Sequence, residues 1–260
     1  MHKSKTSKNH FTLHLHRTGD IFRETTIVLP KLSCPGSWGR VKANFLSEGI
    51  LQKGSRQTEI GILNEIKRRY IHPPKWLPGP TELGRFLSKP LPQITKNQSL
   101  FVYTYHKDLI IQSIFNKVIA PALANSNNFI LRNSIIVEEL DKIKYKIGAH
   151  WSISTLKKWT VKFKTMLRQV GFLRDNMLTK PYIREEAFGF FLFWLFINTQ
   201  SIKKSLEHKA LTPLYLTQED KIYLLKKGNE KEWWYYTEGG GVIEFIPKYA
   251  KLEEWINGLG

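Results

Sequence analysis

Eleven consecutive residues, AFGFFLFWLFI from Ala187 to Ile197, carry no charged side chain. A helix that is apolar on every side has no face to give to water, so other elements must pack around it. The run is also too short to cross a membrane, which takes about 20 residues. It therefore reads as the buried centre of a longer helix, Glu185 to Leu206, and the rest of the chain must supply its cover. With 260 residues, 42% of them hydrophobic, the chain has enough apolar side chains to do so.

Charge is the second constraint. The formal net charge is +18, from 40 Lys and Arg against 22 Asp and Glu. Such an excess is self-repelling and is best tolerated beside a polyanion, either nucleic acid or an anionic membrane surface. The single cysteine, Cys34, rules out an intrachain disulfide and fits a reducing, cytoplasmic setting. The opening MHKSKTSKNH has no apolar run behind it and reads as a loose basic tail, not a signal peptide.

Four segments follow from the patterning. Residues 1–16 read as a flexible basic tail with a possible strand at Phe11–His16. Residues 17–97 read as a helix-turn-helix-like subdomain. Trp38, Val41, Phe45 and Leu46 form one helical stripe, and Ile60, Leu63, Ile66 and Tyr70 another. The proline-rich passage from His72 to Thr81 cannot be regular helix, and Thr81 suits the N-cap of a short helix to Leu87. Residues 98–207 read as helices over Ser99–Ala124, Asn133–Lys146, 152–170 and 185–206, with Gly148 and Gly171 as stops. Residues 208–260 read as a small α+β segment, in which two strands join at Glu238–Gly241 and a closing helix spans Lys251–Leu259.

The charge gathers in the third segment. From Asp141 to Arg184 eleven Lys and Arg face two acids, a net +9, half the total of +18. Leu156, Trp159, Thr160, Phe163, Leu167 and Val170 recur every three or four residues and make the buried stripe of an amphipathic helix. Lys157, Lys158, Lys162, Lys164 and Arg168 occupy the other face, with Thr165 among them. Helix, glycine turn, basic helix, then Phe172–Leu173, a turn at Arg174–Asn176 and Met177–Leu178 is the order of a winged helix-turn-helix. The candidate DNA-binding set is those basic residues with Thr165, Arg174 and Lys180, together with Ser152, Ser154 and Thr155 at the helix start. A second basic patch is Arg40, Lys42, Lys53, Arg56, Arg68 and Arg69. The bland alternative is a solvated helix face, but such faces usually mix charge signs and this one does not.

No catalytic constellation stands out. The chain lacks a P-loop and any G-x-G-x-x-G after a strand, and Glu238–Val242 reads as a hairpin turn. His10, His14, His16 and Cys34 are too few and too loosely spaced for a metal site. Glu138, Glu139 and Asp141–Lys144 resemble a nuclease's acid-and-lysine cluster only faintly and read as a solvated helix face. The expectation is a non-enzyme with no metal and no cofactor. Three other readings stay open: an adaptor whose basic face grips an acidic protein and whose aromatics Trp233, Trp234, Tyr235, Tyr236 and Trp255 supply an interface, an RNA-binding protein, or a peripheral membrane protein.

Three stretches carry a family resemblance: WSIST from Trp151 with Leu167 and GFL after it, YHKDL from Tyr105, and GSWGRVKANFLSEGIL from Gly36 with EIKRRY after it. Over residues 17 to 207 the chain resembles the BrxA family of bacteriophage-exclusion (BREX) defence systems. The resemblance implies a mostly helical, cytoplasmic protein that binds double-stranded DNA and works with other phage-defence proteins. The expected fold is mainly α, with a winged helix-turn-helix and a small C-terminal α+β hairpin segment.

Overall fold

The computed structural model describes Leu13, Leu15 and residues 21–32, 34–125, 129–240 and 242–259. The fold is mainly helical with two short antiparallel hairpins. The first helices are α1 (Phe22–Val28), α2 (Trp38–Glu48), α3 (Arg56–Ile66), α4 (Pro80–Ser88) and α5 (Gln93–Lys107). After them come α6 (Leu109–Ile114), α7 (Ala120–Asn125), α8 (Asn133–Ile147) and α9 (Ile153–Val170). The first hairpin is β1 (Leu173–Arg174) with β2 (Met177–Leu178). Helices α10 (Glu185–Thr199), α11 (Ile202–Leu206) and α12 (Gln218–Glu230) lead to the second hairpin, β3 (Trp234–Gly239) with β4 (Val242–Pro247), and α13 (Leu252–Asn257) closes the chain. The strand expected at Phe11–His16 lies outside the described residues except for Leu13 and Leu15, which are buried.

The apolar run sits where its composition requires. Helix α10 buries every residue from Glu185 to Phe193, and α5, α11, α12 and α13 pack around it. Phe190 stacks on Phe86 of α4 at 4.4 Å between ring centres, and Phe193 stacks on Trp255 of α13 at 6.0 Å. One connected set of buried side chains runs from Leu13 to Leu259. The aromatics Trp233, Trp234, Tyr236 and Trp255 belong to that core and only Tyr235 is exposed, so this cluster is not the exposed interface that an adaptor would use.

Three expected boundaries move. The helix expected over Glu185–Leu206 stops at Thr199, where Gln200 turns left-handed (φ 51°), and Ser201 caps α11 as a separate helix. Helix α4 begins at Pro80 with Gly79 at its N-cap, which places Thr81 inside the first turn. Asp108 interrupts the long helix expected over Ser99–Ala124. Its carboxylate accepts the N–H groups of Ile110 and Ile111 and starts α6 afresh. Helix α12 was not anticipated at all.

Residues 129–180 form a tight local unit. Gly148 (φ 65°) ends α8 in the left-handed conformation, and the Ala149 N–H donates back to the Lys144 carbonyl at 3.0 Å. Gly171 (φ 91°) ends α9 the same way. The β1–β2 pair returns along the end of α9 and meets the segment just before α8. Ile130 bridges to Met177, the Leu131 N–H donates to the Asn176 carbonyl at 2.8 Å, and the Leu178 N–H donates to the Phe129 carbonyl at 2.8 Å.

Candidate nucleic-acid interface

Helix α9 divides as its periodicity requires. Leu156, Trp159, Thr160, Phe163, Leu167 and Val170 are buried, and the Trp159 and Phe163 rings stack at 4.9 Å. Trp151, at the helix entrance, is half-buried against the same core. Ser152 is the N-cap: its Oγ accepts the Thr155 N–H at 3.2 Å and lies 2.9 Å from both Ser154 Oγ and Thr155 Oγ1. The hydroxyl nearest the helix start is therefore occupied by the fold, whereas Ser154 stays exposed and Thr155 half-buried.

Lys157, Lys158 and Lys162 are exposed, and among the described residues none has an ion pair or side-chain hydrogen bond. Thr165 is half-buried and bonds back to the Val161 carbonyl. Arg168 is exposed but engaged: its Nε and Nη2 donate to the Asp175 carbonyl at 3.0 and 2.8 Å. That clamp holds Asp175 in the left-handed conformation (φ 54°) at the tip of the hairpin. Arg174, on the same tip, is exposed.

Lys164 is a correction. Counted with the basic face, it is turned inward and buried, and its Nζ donates to the Leu131 carbonyl at 2.8 Å and to Asn133 Oδ1 at 2.9 Å. Burial, with the Arg168 guanidinium nearby, pulls its ammonium below the ordinary lysine pKa. Lys180 is also drawn away, into an ion pair with Asp220 at 2.6 Å.

The second patch comes apart for the same kind of reason. Arg69 is fully buried and pairs with Glu65 at 2.7 Å, and Arg68 pairs with Glu65 at 2.5 Å and with Asp108 at 3.3 Å. Lys53 pairs with Glu24 at 2.5 Å and Lys42 donates to Asn64 Oδ1 at 2.8 Å. Of the six, Arg40 and Arg56 remain exposed. These cations tie α3 to α2 and to the start of α6, and the loop before α3 to α1, and do not form a common surface.

The acid-and-lysine cluster on α8 also resolves into ion pairs, Lys117 and Lys142 with Glu139 and Lys144 with Asp141. No group of three or more His, Cys, Asp or Glu able to hold a metal occurs among the described residues, and His10, His14 and His16 lie outside them. No helix among the described residues is long and apolar enough to cross a membrane.

Four exposed residues near the basic helix were not singled out from the sequence. Ile153 and Val161 stand on the outer side of α9. Ile130 is exposed beside Met177 on the strand bridge, and Arg132 is exposed at the start of α8. Val161 was legible, since it falls outside the stripe of core positions. The Ile130–Met177 pairing spans nearly fifty residues and leaves no local trace.

A sequence model of the BrxA family matches residues 9–192. The chain belongs to the BrxA family. The match spans α1 to the first half of α10, so α9 and the β1–β2 hairpin lie within the part shared with the family, whereas α11 to α13 and the second hairpin lie beyond it. Membership of the BrxA family points to a role in bacteriophage-exclusion defence. No curated protein and no solved structure matches the chain.

Proposed function

We propose that residues 109–180 form a winged helix that grips duplex DNA, and that the chain is a non-enzymatic, cytoplasmic DNA-binding component working with other proteins of the defence system. The observation that carries this is the set Lys157, Lys158 and Lys162: three uncommitted ammonium groups on one side of a helix whose other side is core. The local topology supports it. A helical run, a one-residue bridge at Ile130, α8, α9 and a hairpin whose second strand pairs back onto that residue follow one another in the order of winged-helix DNA readers.

In this reading the outer side of α9 enters the major groove. Lys157, Lys158 and Lys162 meet phosphates, as do Arg174 on the wing and Arg132 beside it. Arg168 acts as a positioning residue, because its guanidinium holds the wing turn at the Asp175 carbonyl.

The test is charge reversal. Lys158→Glu with Lys162→Glu changes two side chains one turn apart, both directed away from the core. Duplex affinity should fall sharply with no change in melting temperature, and the salt slope should become shallower by about two. Lys203→Glu with Lys204→Glu makes the same charge change at two exposed positions of α11. Equal losses in the two double variants would reduce the effect to net charge and remove the assignment to α9.

A further inference from the structure

Val161 lies amid the exposed side of α9, and that is an unusual place for a β-branched hydrocarbon. It is 52% exposed. Helical geometry puts it about 40° round from Lys157, about 60° from Lys158 and about 40° from Thr165, at roughly 100° per residue. Ser154, Lys157, Lys158, Val161 and Thr165 therefore make one stripe along the helix, with Val161 between the lysines and the threonine. It belongs neither to the buried core nor to the apolar side chains packed against that core, and its stiff χ1 makes it a poorer helix former than alanine.

Resting on the DNA reading above, we propose that Val161 is a specificity-determining residue that reads the C5-methyl group of a pyrimidine in the major groove, the methyl that thymine carries and cytosine lacks. The lysines around it would meet the phosphates on either side of the groove and drop the middle of the helix face onto base edges. The thymine methyl is the one apolar group a major-groove base edge presents, and an aliphatic side chain is its natural partner. Contact would remove both hydrocarbon surfaces from water, which is worth about fourfold in affinity per methyl group at ~0.8 kcal/mol for a CH₂-sized unit. The same chemistry would favour 5-methylcytosine over cytosine, because the methyl projects from the equivalent ring carbon.

The experiment removes the methyl and nothing else. The full-length protein is titrated with an alternating adenine–thymine duplex and with the same duplex carrying uracil for every thymine, in wild type, Val161→Ala and Lys158→Glu. An alternating guanine–cytosine duplex is compared with its 5-methylcytosine counterpart in parallel. Wild type should bind each methylated duplex about fourfold tighter per methyl read. Val161→Ala, a change at an exposed helical position that alanine tolerates well, should bring both ratios close to one while leaving affinity for the uracil duplex nearly unchanged. Lys158→Glu should weaken all four duplexes and keep the ratios. Equal affinity of wild type for the thymine and uracil duplexes, or a preference that survives Val161→Ala, overturns the proposal with the DNA reading intact. Failure of wild type to bind any duplex overturns the DNA reading itself.

Discussion

Replacing Lys164 with methionine separates a structural lysine from Lys158, which is proposed to contact DNA. Methionine keeps most of the aliphatic stem and removes the ammonium, so little packing is lost. Two hydrogen bonds disappear, to the Leu131 carbonyl at 2.8 Å and to Asn133 Oδ1 at 2.9 Å. Asn133 is exposed and water replaces its bond, whereas Leu131 is fully buried and its carbonyl loses a charged donor. Leaving such an acceptor unsatisfied costs about 1–3 kcal/mol. Taking ~2 kcal/mol, and 2–4 °C per kcal/mol for a chain of this size, Tm should fall by roughly 4–8 °C. The salt slope of duplex binding should stay at the wild-type value, because no phosphate contact is lost. Lys158→Met should do the reverse, with an unchanged Tm and a slope shallower by about one. Thermal melts and titrations at several salt concentrations read both quantities. A Lys164→Met protein with wild-type Tm and a shallower slope would refute the inward placement of this side chain.

Three further outcomes are expected. Trp159→Ala should cost about 3–5 kcal/mol in chemical denaturation, since the ring is fully buried and stacked on Phe163; an unchanged midpoint would mean the apolar stripe faces elsewhere. Gly228→Ala should be among the more damaging small changes, by about 3 kcal/mol, because an added Cβ would fall 1.9 Å from Trp234 Cζ2 and that ring is held by its N–H to the Leu225 carbonyl; a wild-type midpoint would contradict this close approach. Burial, with Lys209 and His208 nearby, pushes His106 down to about 4. The unfolded chain then binds more protons than the folded one between pH 4 and the ordinary value of about 6.5, so this contribution is complete above about 6.5 and is lost as pH falls towards 4, by at most about 3 kcal/mol. Denaturation midpoints between those limits should lose that slope in His106→Gln, and an identical pH profile in the variant would exclude His106 as its source.

Legibility from sequence followed the reach of each signal. Helices α9 and α10 were readable because their cause is local, a stripe of period 3.6 in one and an unbroken apolar run in the other, and the glycines that end α8 and α9 take the left-handed conformation expected of helix stops. The hairpin at 173–178 was readable for the same reason, from a polar turn between apolar pairs. Helix α12 was not, because it buries little beyond Leu224, Leu225 and Gly228; its one cue was the Thr217–Asp220 capping box. The fate of individual cations was the least legible feature. Lys164 borders the exposed arc of the helical wheel, and only the approach of Leu131 and Asn133, more than thirty residues upstream, turns it inward. Arg68 and Arg69 look like surface charge in KRRY until Glu65 and Asp108 are brought against them. Composition counts charges, whereas the fold decides which of them remain available to a partner.

The most direct test of the account is the salt dependence of duplex binding by the wild-type protein. On the proposed DNA reading, Lys157, Lys158, Lys162, Arg174 and Arg132 would supply the phosphate contacts, up to five, with Lys164, Lys180, Arg68 and Arg69 engaged within the fold. At a slope of about −0.9 per contact, three to five contacts give a loss of roughly 40-fold to 500-fold in affinity between 50 and 200 mM salt. A plot of log Kd against log salt with a slope magnitude between about 2.7 and 4.5 is the expected result. A flat plot would contradict DNA binding through the basic helix.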